Sequence, residues 1–248
     1  MSETTEAAVP RSFGQDLLDL YFAPRDAFAS ILRAPRLAVV IPAWLVLGLV
    51  FTGVWLSRVD PPAFMRNQLE ESGQWDRLNP EQRSAVLEGQ SRMLPIFGWI
   101  GATVGPPVML LVVSGFLLFV FRFFYAAETG FREALAVVAW TYLGVGLVTT
   151  PLTLLVMWLK GDWNVSPQEV LQANPTLLLD KFATAKPLWA LLGSFDVFSI
   201  WIVFLMATGF AVAGRRTTGS ALWGVGVGWA IYVLGKVALS FLGSAATG

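Results

Sequence analysis

Cysteine and histidine do not occur in this chain. Without them there are no disulfides, thiolate nucleophiles or imidazole bases, and the usual ligands of zinc, haem and iron–sulfur clusters are missing. No cofactor or metal is therefore expected. Charge is scarce as well: only 14% of the 248 residues are Asp, Glu, Lys or Arg, and 17 basic residues balance 17 acidic ones. A chain with no net field has no electrostatic reason to bind nucleic acid.

These absences close most routes to catalysis. Serine proteolysis inside a membrane needs a base such as histidine. Aspartyl proteolysis needs two facing acids that share a proton. A phosphate loop of the form G-x-x-x-x-G-K-[ST] is also missing, so ATP-driven pumping by this chain alone is not expected. An enzyme is not expected.

Apolar residues are what the chain has in abundance, at 55% of the total and with a mean hydropathy of +0.62. A helix rises about 1.5 Å per residue and the hydrocarbon core is about 30 Å thick, so a span needs roughly 20 apolar residues. Five stretches qualify: Leu37–Leu56, Leu94–Phe121, Ala134–Leu159, Leu188–Gly214 and Ser220–Gly243. Runs of this length satisfy their backbone in lipid only as helices. The expectation is an all-α membrane protein, a bundle of five transmembrane helices forming a membrane domain over 37–243. Residues 1–36 precede it and a short tail, 244–248, follows. Residues 1–36 lack a compact apolar run ending in a small-residue cleavage site, so a cleaved signal peptide is not expected.

Before the first span, Phe13–Phe22 is apolar with Asp16 and Asp19 on one side, and Pro24 opens a second short helix carrying Phe28, Ile31 and Leu32. This reads as an interfacial amphipathic helix on the membrane, or as a cap over the bundle. Between spans one and two, Asn79-Pro80-Glu81-Gln82 is a helix-start signature inside a small extramembrane helical hairpin. Pro106 and Pro107 in the second span and Pro151 in the third predict kinks or tilt. Gly101 and Gly105, and Ser220, Gly224 and Gly228, stand at four-residue spacing and predict close helix packing.

Asp196 and Lys236 are the charges inside the spans. Spans four and five run antiparallel, which brings both to one depth, and an isolated charge in hydrocarbon costs several kcal/mol. An intramembrane ion pair is predicted, fixing helix register or coupling to a proton or solute. On the loops, Arg122, Glu128, Arg132 and Glu133 form a charged cluster, and Arg215–Arg216 is an adjacent basic pair. Together they are the candidate partner-binding face. The N-terminal segment and the two short loops carry eight Lys and Arg residues, as do the two longer loops, but in the first set they are denser. This leans towards a cytoplasmic N-terminus.

Three segments carry a family likeness. Phe22-Ala23-Pro24-Arg25-Asp26-Ala27-Phe28 with Ala34-Pro35, then Gly130-Phe131-Arg132-Glu133-Ala134-Leu135-Ala136-Val137, then Leu191-Leu192-x-x-x-Asp196-x-Phe198-x-x-Trp201 resemble the Yip (Ypt/Rab-interacting protein) family, bacterial type. The resemblance spans roughly residues 20–243. It implies five spans in a bacterial inner membrane, a cytoplasmic N-terminus and an extracytoplasmic C-terminus. Eukaryotic members take part in vesicle traffic and contact Rab GTPases, but this chain lacks their long acidic N-terminal region.

On this footing the expected function is a membrane scaffold or adaptor whose cytoplasmic face engages a protein partner or lipid headgroups, with self-association open. The alternative is a transporter of small solutes or lipids that uses Asp196 and Lys236.

Overall fold

The computed structural model describes residues 11–171, 173–180 and 183–245, and the described residues are helical with short connections. Helices α1 (Phe13–Phe22) and α2 (Pro24–Ile31) come first. Ser12 caps α1 by accepting the Gln15 amide, and Gln15 returns the bond to the Ser12 amide, satisfying two end donors. Helix α3 (Leu37–Leu56) starts after Arg36, whose φ of 46° turns the chain sharply.

Helix α4 (Pro61–Ser72) and a short 3-10 turn lead to α5 (Pro80–Tyr125), a continuous 46-residue helix. Its start has the expected form, with Asn79 accepting the Gln82 amide at 2.8 Å and Pro80 in the first turn. The end of α3 meets α5 around Gly98 and Trp99. The first part of α5 therefore projects about 27 Å beyond α3, and α4 packs against it as the other arm of a helical hairpin. Helix α5 stays helical through Pro95, Pro106 and Pro107.

Helix α6 (Phe131–Lys160) is likewise continuous through Pro151 and stops at Gly161, whose φ of 64° suits glycine. After α7 (Pro167–Val170) and a second 3-10 turn come α8 (Lys186–Leu192), α9 (Val197–Ala213) and α10 (Thr218–Ala245).

The fourth predicted span, Leu188–Gly214, is not one helix. It divides into α8 and α9, bent by 51° at Gly193–Asp196. Ser194, Phe195 and Asp196 are poor helix formers in sequence, and the Asp196 side chain accepts the Phe198 and Ser199 amides, which starts a new helix. Among the described residues, four helices are long and apolar enough to cross a membrane, and counting the bent pair as one span makes five.

The outer surface explains where this chain belongs. Val46, Val50 and Val54 on α3, and Val104, Val108 and Val112 on α5, form exposed apolar stripes at four-residue spacing. In water such patches would drive aggregation, whereas in hydrocarbon they are the matching surface. The core is confined to the centre: Phe28, Phe121, Trp140 and Phe210 are fully buried, and Phe121 stacks on Phe210 with ring centroids 4.6 Å apart.

Candidate functional site

The N-terminal helices do not merely lie on the surface. Leu20, Ala27, Phe28 and Ile31 are fully buried, driven into the cleft between α6 and α9. Two glycines make the space. A Cβ on Gly144 would stand 2.3 Å from the Leu20 side chain, and one on Gly209 would stand 2.5 Å from Val137 and 3.1 Å from Phe28. The Tyr21 hydroxyl donates to the Gly144 carbonyl at 2.8 Å, and burial pushes its phenol above the usual range.

Helix α1 turns Phe13, Leu17 and Leu20 inward as its apolar spacing predicts, but one acid goes with them. Leu18 and Phe22 are exposed while Asp16 points inward, 1% accessible, and accepts from Arg36 at 2.8 Å. Arg36 also donates to the Arg11 carbonyl, and Arg11 pairs with Asp19 at 2.9 Å. The second Asp16 oxygen has no hydrogen-bond partner. Beside this pair, Trp140 Nε1 donates to the Pro35 carbonyl at 2.9 Å and its ring lies 5.1 Å from Phe13. The Ala34-Pro35 step thus fixes where α3 begins relative to α6.

The same end of the bundle carries the short loops. Arg122 donates to the Thr129 carbonyl at 3.0 Å and Glu133 accepts the Gly130 amide at 2.8 Å, so both brace the α5–α6 turn. Glu128 and Arg132 are exposed. Arg216 donates to the Tyr125 carbonyl and ties the α9–α10 turn to the end of α5, while Arg215 takes a left-handed φ of 52°. Arg25, on α2, lies 3.5 Å from the Thr218 hydroxyl. A cavity of about 630 Å³ opens between these elements, lined by Arg25, Asp26, Arg215, Arg216, Thr217 and Thr218 over a floor of small apolar residues. Sequence reasoning named Arg215 and Arg216 but missed Arg25, because nothing along the chain says that α2 folds back onto the turn.

Asp196 and Lys236 are brought to one level but not into an ion pair. Lys236 Nζ reaches Ser194 Oγ at 3.4 Å, while Asp196 is occupied by the Phe198 and Ser199 amides and the Ser199 hydroxyl. No salt bridge among the described residues joins the two. The physical reason is the break in the fourth span: as a helix cap, Asp196 finds charge-favouring N–H donors in its own chain. Helix α9 and the Thr218–Lys236 stretch each cover about 26–27 Å, most of a hydrocarbon core, which leaves Lys236 close to the far headgroups.

Of the small-residue positions, Gly224 faces Phe121 and Tyr125, and Gly228 faces Phe116, so both let α10 approach α5. Gly101 and Gly105 face open space. A second cavity, of about 370 Å³, lies at the opposite end, lined by Glu71, Lys160, Asp162, Glu169 and Trp189 among others.

Long apolar helices with exposed apolar stripes, charges gathered at the helix ends and a close-packed aromatic centre define an α-helical integral membrane protein. Within that class, the family model for the Yip1 domain matches residues 18–239, nearly the whole chain, which belongs to this family. The matched region takes in the Pro24–Phe28 segment that wedges into the bundle and the broken fourth span. No curated protein and no solved structure matches the chain.

Proposed function

We propose that the chain is a non-enzymatic membrane scaffold with five spans, in a bacterial inner membrane, with its N-terminus cytoplasmic and its C-terminus extracytoplasmic. Its cytoplasmic face, formed by α1, α2 and the two short loops, engages a protein partner or lipid headgroups. The observation that carries this reading is how the bundle is filled. Phe28, Phe121, Trp140 and Phe210 close the centre, whereas Arg25, Glu128, Arg132 and Arg215 are presented outward at one end. A protein built to pass solutes needs a polar path, whereas a protein built to be held by others needs a rigid body and a displayed face. The denser arginines at that end favour the cytoplasmic side. Self-association through the exposed stripes of α3 and α5 is compatible with it.

Purification from native membranes in a mild detergent tests the proposal. A stoichiometric companion protein, lost when Arg132 and Glu128 are both changed to Ala, is the expected result. A chain that purifies alone and moves a solute across liposomes overturns it.

A second reading, transport, is favoured by one feature: a helix interrupted at Gly193–Asp196 next to Lys236, since broken helices often form ion and substrate sites in transporters. Against it stands the cap: both Asp196 oxygens are engaged by the amides and hydroxyl that open α9. Asp196→Asn separates the two: it abolishes flux if the carboxylate carries a proton and leaves the scaffold intact if it only caps.

A further inference from the structure

Three guanidinium groups border one cavity against a single carboxylate, that of Asp26. Arg25 comes from α2, and Arg215 and Arg216 from the α9–α10 turn. None of the three takes part in an ion pair among the described residues, although Arg11, Arg36, Arg66 and Arg92 all do. Only one acid, Asp26, lines the space. Arg25 is 3.5 Å from the Thr218 hydroxyl and Arg216 holds the Tyr125 carbonyl, so two of the three are anchored while keeping donors to spare. Thr217 and Thr218 also line the space, where α10 begins; the Thr217 hydroxyl accepts the Ser220 amide and the Thr218 hydroxyl accepts from Arg25. Three exposed guanidinium groups around one open cavity make an electropositive face suited to an anion.

We infer that this cavity binds the phosphate of an anionic phospholipid. Its position selects the lipid over a free ion. Trp223 is 77% exposed and stands about 8 Å along α10 from Thr218, the place of an aromatic belt residue. Phe123 and Phe124 are exposed just before Tyr125, at the same end, and Leu222 and Val227 continue the apolar surface away from the cavity. A phospholipid whose phosphate enters between Arg25 and Arg215 has its acyl chains laid against that surface. Three guanidinium groups against one carboxylate leave a net positive wall, so an anionic headgroup is preferred over a zwitterionic one. Bound there, the lipid bridges α2 to the α9–α10 turn and clamps the N-terminal wedge onto the bundle. The inference rests on the scaffold reading only in taking this end as a headgroup-facing surface.

Native mass spectrometry of the full chain in a neutral detergent tests it, using dioctanoyl phosphatidylglycerol, dioctanoyl phosphatidylcholine and inorganic phosphate as probes. The expected result is a single retained phosphatidylglycerol, preferred over phosphatidylcholine and not displaced by phosphate at the same concentration. Arg25→Gln with Arg215→Gln weakens it by roughly tenfold or more, while Arg92→Gln at the far end does not. If the double variant fails to fold, Arg25→Gln alone, at an exposed position, carries the comparison. Equal binding by wild type and variant overturns the proposal, as does equal retention of the two lipids. Displacement by inorganic phosphate assigns the cavity to the free ion and overturns the lipid assignment. A variant that loses the lipid but keeps its companion protein leaves the scaffold reading standing. A wild type that binds lipid but has no companion does the reverse.

Discussion

The two halves of α6 meet different surroundings. From Ala134 to Val145 ten residues are buried, and beyond Val145 only Thr153 and Met157 are. The buried half is rich in small residues, with Ala134, Ala136, Ala139 and Gly144, while the other half shows Leu147, Leu155, Trp158 and Leu159 to the outside. Small residues are therefore concentrated where α6 meets its neighbours, with Trp140 and Leu143 as the large side chains among them. Lipid already solvates large apolar side chains, so burying them against protein gains little. What favours association is close backbone approach and dense contact, which small residues permit.

The largest expected effect tests that contrast at Trp140. Trp140→Ala removes a fully buried ring and the donor to the Pro35 carbonyl, and should cost about 3–5 kcal/mol, lowering the unfolding midpoint in detergent sharply. Trp158→Ala, in the exposed half, should barely move it; equal losses would erase the distinction. Gly209→Ala comes next. Its Cβ meets the stiff Val137 side chain and the Phe28 ring, so a loss of about 1–3 kcal/mol is expected. Gly101→Ala, facing open space, should be neutral or slightly stabilising.

Asp196→Ala should cost about 1 kcal/mol through the lost α9 cap, and Asp196→Asn almost nothing, because asparagine caps as well as aspartate. A large loss with Asn would show that the charge itself matters and would revive the ion-pair expectation. Tyr21→Phe should cost a similar amount, about 1 kcal/mol for the bond to Gly144. The folded phenol titrates above the usual value of about 10, so the folded state holds its proton longer than the unfolded chain. Its contribution is complete below pH 10 and is lost as pH rises through the folded value. Wild type should therefore converge on Tyr21→Phe stability in strongly alkaline buffer, and parallel curves would count against the burial of that hydroxyl.

The long helices were legible because hydropathy over twenty residues reports the solvent directly, as at Leu37–Leu56. The Asn79 cap was legible because it is a local rule satisfied within four residues. The break before Val197 was hidden, since Gly193 and Ser194 lower the hydropathy of the run too little to mark a bend. The inward Asp16 misled for a related reason: helical periodicity placed it on a polar side, but its partner Arg36 is twenty residues away.

Sequence alone determined that this chain lives in lipid and folds as long helices, because those outcomes depend on local backbone satisfaction and on the sum of transfer energies along each run. Which helices touch, that α1 and α2 are driven between α6 and α9, and that Arg25 comes to face Arg215 and Arg216 were decided by tertiary structure. In a chain of nearly interchangeable apolar side chains, packing depends on a few glycines and on which polar groups find each other across long separations, and no local pattern encodes that choice.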